Sequence, residues 1–204
     1  MDSSDLPPTQ KGRQFELQAR GLREFAGLRH DDQRLDPFEL ANYAKLLVLP
    51  FEQVKALSEE SRNHLLGEGR DAWSGGAASM TLPDGRKLII LNPTHGRTRQ
   101  NATLMEEICH VFLGHKPSRL AVTRYDKQGK IMARDYHTEI EEEAYGTGAA
   151  ALVPYTALRR FVELGRTSRD IARHFNVSRQ LIEYRIKVSR LWDSYKTNVL
   201  QGGG

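Results

Sequence analysis

One stretch limits what this chain can fold into more than any other: Thr103-Leu-Met-Glu-Glu-Ile-Cys-His-Val-Phe-Leu-Gly-His115. It is mostly apolar, reads as helix, and stops at Gly114, a natural helix terminator. Glu106 and His110 are four residues apart and leave the same face of that helix. Glu107 sits about 100° round from Glu106, close enough to lean into the same cleft. Leu104, Met105, Ile108, Val111, Phe112 and Leu113 surround these three, so the helix is expected to be buried nearly all round. Charges at helical spacing are ordinarily a solvated face. Inside an apolar helix they need partners or a metal.

The spacing is that of the H-E-x-x-H helix, in which two ligands flank a general base. Here the first ligand position is Glu106 instead of histidine. The stretch is a candidate metal-hydrolase site with an altered ligand. A hydrolytic site needs a metal with an open position and a carboxylate within reach of the attacking water, and Glu107 is placed for the second task.

The rest of the chain bounds the answer. Its 204 residues can bury one good core and a small second module. A net charge of +4 does not by itself point to nucleic acid. The single cysteine, Cys109, excludes an internal disulfide and fits a reducing cytoplasm; it reads best as a small buried apolar residue. No apolar run approaches the ~20 residues that span a bilayer, and the N-terminus is too polar for a signal peptide. The expectation is a cytoplasmic protein with no membrane partner.

In chain order, residues 1–12 read as disordered, and Phe15–Leu28 as an amphipathic helix. Asp36-Pro37 starts a second helix that would bury Phe38, Leu40, Ala41, Ala44 and Leu47; another is expected across Phe51–Leu66. Ser79–Leu82 and Lys87–Leu91 flank Pro83-Asp84-Gly85-Arg86 and read as a β-hairpin. An exposed strand edge beside the ligand helix could hold an extended substrate. Leu120–Tyr125 and Lys130–Tyr136 read as a second hairpin. From His137 to Pro154 the chain reads as a helix with an acidic start and a small-residue second half.

The strings Asn92-Pro-Thr-His, Thr103 to His115, Glu141-x-Glu143-Ala144 and Ala149-Ala-Ala-Leu-Val-Pro154 together resemble the ImmA/IrrE family of metallopeptidases. The resemblance covers roughly residues 35–154. It implies an α+β, zincin-like domain with a small sheet, and a following helix that supplies a glutamate as third ligand. It also implies cleavage of a helix-turn-helix repressor in bacteria. Carried over by position, Glu106, His110 and Glu143 are the metal ligands and Glu107 the catalytic base. Glu139 is the fallback ligand; His95 and His115 flank the helix as substitute ligand or oxyanion donor, where such histidines are more often hydrogen-bonded loop residues, and Tyr136 and His137 are further candidates for an oxyanion donor near the metal. One histidine and two carboxylates leave the site formally neutral around one divalent ion, zinc or manganese, and carboxylate-rich shells move preference from zinc towards manganese or ferrous iron.

The C-terminal part, Ser168 to Lys187, resembles a helix-turn-helix. Ser168 and Ser178 cap its helices, and Asn176 takes the left-handed turn. Arg179, Gln180, Glu183 and Lys187 would line the outward face of the second helix, for weak DNA contact or for partner docking. Arg185 falls where such units want an apolar residue. The domain expectation is 13–155 for the peptidase-like domain, 156–196 for the helical module and 197–204 for a disordered tail. The function expected is a metallo-endopeptidase acting on a repressor; the alternative is an inactive pseudo-peptidase that binds DNA or a repressor.

Overall fold

The computed structural model describes residues 5–55, 57–115, 124–125, 131–132 and 138–200. At its centre α4 (Arg97–Phe112) lies against α5 (Thr138–Leu152), and α5 lies against α1 (Gln10–Phe25). The small residues of α5 permit this double contact. A Cβ at Gly146 would overlap the Phe15 ring, and one at Gly148 would meet Met105 at 3.4 Å and Cys109 at 3.5 Å. Ala149, Ala150 and Ala151 complete the buried face. A larger side chain here would drive helices apart that interiors normally hold in close packing.

α4 is buried on one side, through Leu104, Met105, Ile108 and Cys109, while Phe112 is 47% exposed. The expectation of burial nearly all round is therefore corrected. Glu106, Glu107 and His110 lie at the boundary, half-buried.

A three-stranded sheet flanks these helices, in the order β1 (Leu46–Leu49), β3 (Lys87–Leu91), β2 (Gly75–Thr81). β2 and β3 form the expected antiparallel hairpin, with Gly85 at φ 82° in its turn, but β2 begins at Gly75, earlier than the Ser79 expected, because Gly75 and Gly76 pair with Leu91 and Ile90. β1 pairs parallel to β3 and falls where a helix was expected to continue. Asp36 caps α2 (Pro37–Tyr43) as anticipated, but Lys45 at φ 55° ends the helical path, and Leu-Leu-Val-Leu adds to the sheet instead. Consequently β3 is central and offers no edge. The edge beside α4 belongs to β2, whose Gly75 lies against Thr103. The helix expected across Phe51–Leu66 is a single 3-10 turn (Phe51–Gln53) followed by α3 (Glu59–Leu66), which Ser58 caps.

The N-terminal boundary also moves. The hydroxyl of Thr9 accepts from the Gly12 amide, so α1 begins at Gln10, inside the segment expected to be disordered. Of the second hairpin, the short strands β4 (Arg124–Tyr125) and β5 (Ile131–Met132) pair antiparallel; the remainder lies outside the described residues.

After Pro154 come α6 (Tyr155–Glu163), α7 (Ser168–Phe175), α8 (Arg179–Val188) and α9 (Trp192–Tyr195), then a π-helical turn over Lys196–Leu200 that replaces the start of the expected tail. Thr167, rather than Ser168, caps α7; Ser178 caps α8, and Asn176 at φ 53° makes the turn between them. This helix pair is fastened to the rest of the fold. Arg185 is 3% exposed; its Nε donates to the Val153 carbonyl at 3.1 Å and its guanidinium pairs with Glu16. Glu16 in turn accepts from the Tyr155 amide. Asn101 of α4 donates to the Asn176 carbonyl at 3.2 Å. The residue that broke the expected apolar pattern is thus the one that anchors α8. Among the described residues, no helix is long and apolar enough to cross a membrane.

Candidate metal centre

α4 presents Glu106 and His110 one turn apart, and α5 brings Glu141 against them. The three offer donor atoms that all lie within 4.8 Å of one another. Nε2 of His110 is 3.5 Å from a Glu141 oxygen.

Among the described residues the electrostatics of this cleft are unfavourable for three ionised carboxylates. Burial, with the charges of Glu141 and Glu107 added, pushes the Glu106 carboxyl up to about 7. Burial and Glu141 do the same to Glu107, also to about 7. No lysine or arginine among the described residues offsets either shift. Burial lowers His110 from its usual range, against the opposing pull of Glu141, and so favours the neutral imidazole a metal needs. Two carboxylates and one neutral imidazole around a divalent ion sum to zero charge. The donor set therefore fits a divalent cation, which would relieve the repulsion that the described residues leave unmet.

Glu143, assigned as third ligand from the sequence, lies elsewhere. Its Oε1 accepts from Gln14 at 3.0 Å and from Gln18 at 2.6 Å, and its Oε2 lies 3.1 Å from Nε2 of His115. These bonds hold its carboxyl below the usual range, Gln18 contributing most. Glu141 takes its place in the donor group. Residues two apart on a helix point about 200° away from each other, so α5 cannot turn both towards Glu106. The string Glu141-x-Glu143 contained both candidates, and only the docking of α5 separates them. Glu139 is exposed at the start of α5 and is not in the group. His95 is buried in the loop before α4, 3.5 Å from the Asn92 side chain, and is likewise not in the group. Cys109 is fully buried, and burial pushes its thiol far up, as suits a core residue. Tyr136 and His137 lie outside the described residues. On α8, Arg179 and Glu183 pair with each other at 2.6 Å, while Gln180 and Lys187 are exposed.

Residues 66–187 match the IrrE N-terminal-like domain, a peptidase domain. The chain belongs to this family. The matched segment holds α4 and α5 whole, and with them Glu106, Glu107, His110 and Glu141. It extends through most of α8, so the IrrE-like match includes the helix pair fastened by Arg185. No curated protein matches the chain. For an IrrE-like domain a metallopeptidase-like chemistry and a protein substrate are the readings the family supports, and a divalent metal suits both the family and the Glu106, His110, Glu141 group.

Proposed function

We propose that this IrrE-like chain is a metal-dependent endopeptidase. It holds one divalent ion, manganese or zinc, between Glu106, His110 and Glu141, and uses Glu107 as general base. The observation that carries the reading is the convergence of those three donors from α4 and α5 within 4.8 Å, inside the segment that matches a peptidase family. A divalent ion there supplies polarisation of the scissile carbonyl and acidification of the attacking water.

The chain's own residues do the rest. Glu107, with its carboxyl near 7, can take the proton of that water and return it to the departing amine at neutral pH. An extended peptide can pair with the edge of β2, the strand beside α4, by main-chain hydrogen bonds. A helix-turn-helix repressor is the proposed substrate, following the family resemblance. The carboxylate-rich donor set favours manganese over zinc relative to a two-histidine site. The second reading, a pseudo-peptidase that binds a repressor or DNA, is favoured by one feature: Glu106 stands where the family pattern has histidine. The exposed Gln180 and Lys187 would then be contact residues, with Arg179 and Glu183 beside them.

Elemental analysis after reconstitution with zinc and with manganese separates the readings. About one metal per chain is expected in the wild type, with loss in His110→Ala and Glu141→Ala and retention at reduced affinity in Glu143→Ala. A wild type that carries no metal above background defeats the peptidase reading. DNA binding with a steep salt dependence would then be the next measurement.

A further inference from the structure

Both oxygens of Glu143, in the acidic run of α5, have partners among the described residues. Thr147 donates its hydroxyl to Oε1 of Gln18 at 2.7 Å, which turns the Gln18 amide nitrogen towards Glu143. Oε1 of Glu143 therefore receives two amide N–H groups, from Gln14 and Gln18. Its Oε2 faces Nε2 of His115 at 3.1 Å. An ionised carboxylate only accepts, so Nε2 of His115 must carry a proton.

The position of His115 follows from how α4 ends. Gly114 adopts φ 69°, the His115 amide donates back to the His110 carbonyl at 2.9 Å, and the Gly114 amide donates to the Val111 carbonyl at 3.2 Å. This pair of bonds is a Schellman termination, and it folds His115 back over His110. Their Nδ1 atoms are 3.1 Å apart. The His115 side chain is only 9% exposed, so water does not readily replace either contact. A neutral His115 with its proton on Nε2 has a bare Nδ1, and that atom must accept. His110 must then donate from Nδ1, which leaves the lone pair on its Nε2. Glu141 could compete for a proton on Nε2, but 3.5 Å is long for an N–H···O bond and 3.1 Å is not.

We propose that the Glu143–His115 pair is a positioning device: it fixes His110 as the Nδ1–H tautomer and orients its Nε2 lone pair into the Glu106–Glu141 donor group. The proposal rests on the metal-centre reading for its purpose, but not for its geometry. It assigns Glu143 to the support of a ligand rather than to the ligand set, and it gives His115 a role other than ligation. Outer hydrogen bonds of this kind orient ligating imidazoles, and their loss weakens metal binding by about 10–100-fold.

The test uses the full-length, metal-free chain with 15N-labelled histidine, at a pH where both imidazoles are neutral. Long-range 1H–15N correlations report which ring nitrogen of His110 is protonated. The expected result is a protonated Nδ1 and an unprotonated Nε2 in the wild type. In His115→Phe and Glu143→Ala this preference should be lost, with zinc or manganese affinity down by about 10–100-fold. Glu139→Ala, at the exposed start of the same helix, should change neither. Circular dichroism checks that the variants are folded; if they are not, the wild-type tautomer alone decides. A wild-type His110 protonated at Nε2, or variants with wild-type tautomer or wild-type affinity, overturns the proposal. A wild type that binds neither metal defeats the metal-centre reading, while the tautomer, read without metal, still judges the relay.

Discussion

Glu16 on α1 and Glu106 on α4 are both helical glutamates drawn out of water by the same core, and they meet opposite company. Glu16 is 8% exposed, pairs with Arg185 and accepts the Tyr155 amide; Arg185 in turn donates to Val153. Every charge there is answered by the chain itself. Glu106 is half-buried beside Glu107, Glu141 and an imidazole that burial biases towards its neutral form, with no cationic side chain among the described residues to offset the repulsion. The first arrangement is closed and joins α8 to the body of the fold. The second is open to a cation from outside. What separates these two buried charges is whether the described residues supply the counter-charge.

Four experiments can break or sharpen that contrast. The largest effect is expected for Glu107→Gln, which should reduce cleavage of a susceptible repressor by about 10²–10⁴-fold while leaving metal content unchanged. Retained cleavage would remove Glu107 from the chemistry.

Next is Glu16→Ala, which strands Arg185 in the interior and should cost about 3–5 kcal/mol in urea unfolding. The double variant Glu16→Met, Arg185→Met should recover most of that loss, because a well-packed apolar pair has no charge to compensate.

Glu106→Gln should move the other way. The folded carboxyl near 7 lies above its usual 4.5, so the native chain holds that proton more tightly than the unfolded chain does. The favourable contribution is fully present below pH 4.5 and is lost as pH rises through 7. At pH 8 the metal-free Gln variant should therefore be more stable than wild type by about 1–2 kcal/mol, and it should bind metal poorly. A destabilised Glu106→Gln would erase the distinction from Glu16.

The smallest effect is on pH dependence. Metal binding requires ionised Glu106, so affinity should rise by up to about tenfold per pH unit below 7 and flatten above it. Calorimetry in buffers of different ionisation heat should detect proton release near neutrality.

Much of the site was legible because helices carry their geometry in their spacing. Glu106, Glu107 and His110 needed only the 3.6-residue period and the stop at Gly114 to be placed together. The hairpin of β2 and β3 was legible from the Pro-Asp-Gly turn, and α8 from Ser178 and Asn176. β1 was not, since Leu46–Leu49 is an apolar run that suits either a buried helix or a strand, and only its partner β3 makes it a strand. The closed pair was illegible for a related reason: Glu16 and Arg185 are 169 residues apart, and Arg185 registered only as a flaw in an apolar pattern.

By itself, then, the sequence determined the helix that carries Glu106, Glu107 and His110, and an acidic helix downstream that could bring a further donor to them. These are local facts, set by spacing, caps and turn residues. The tertiary structure alone decided that Glu141 faces the donors while Glu143 faces His115, and that Arg185 belongs to Glu16. Both choices depend on how α5 rotates and docks, and that is settled by the close approach of Gly146 to Phe15 and of Gly148 to α4, contacts that no single helix contains.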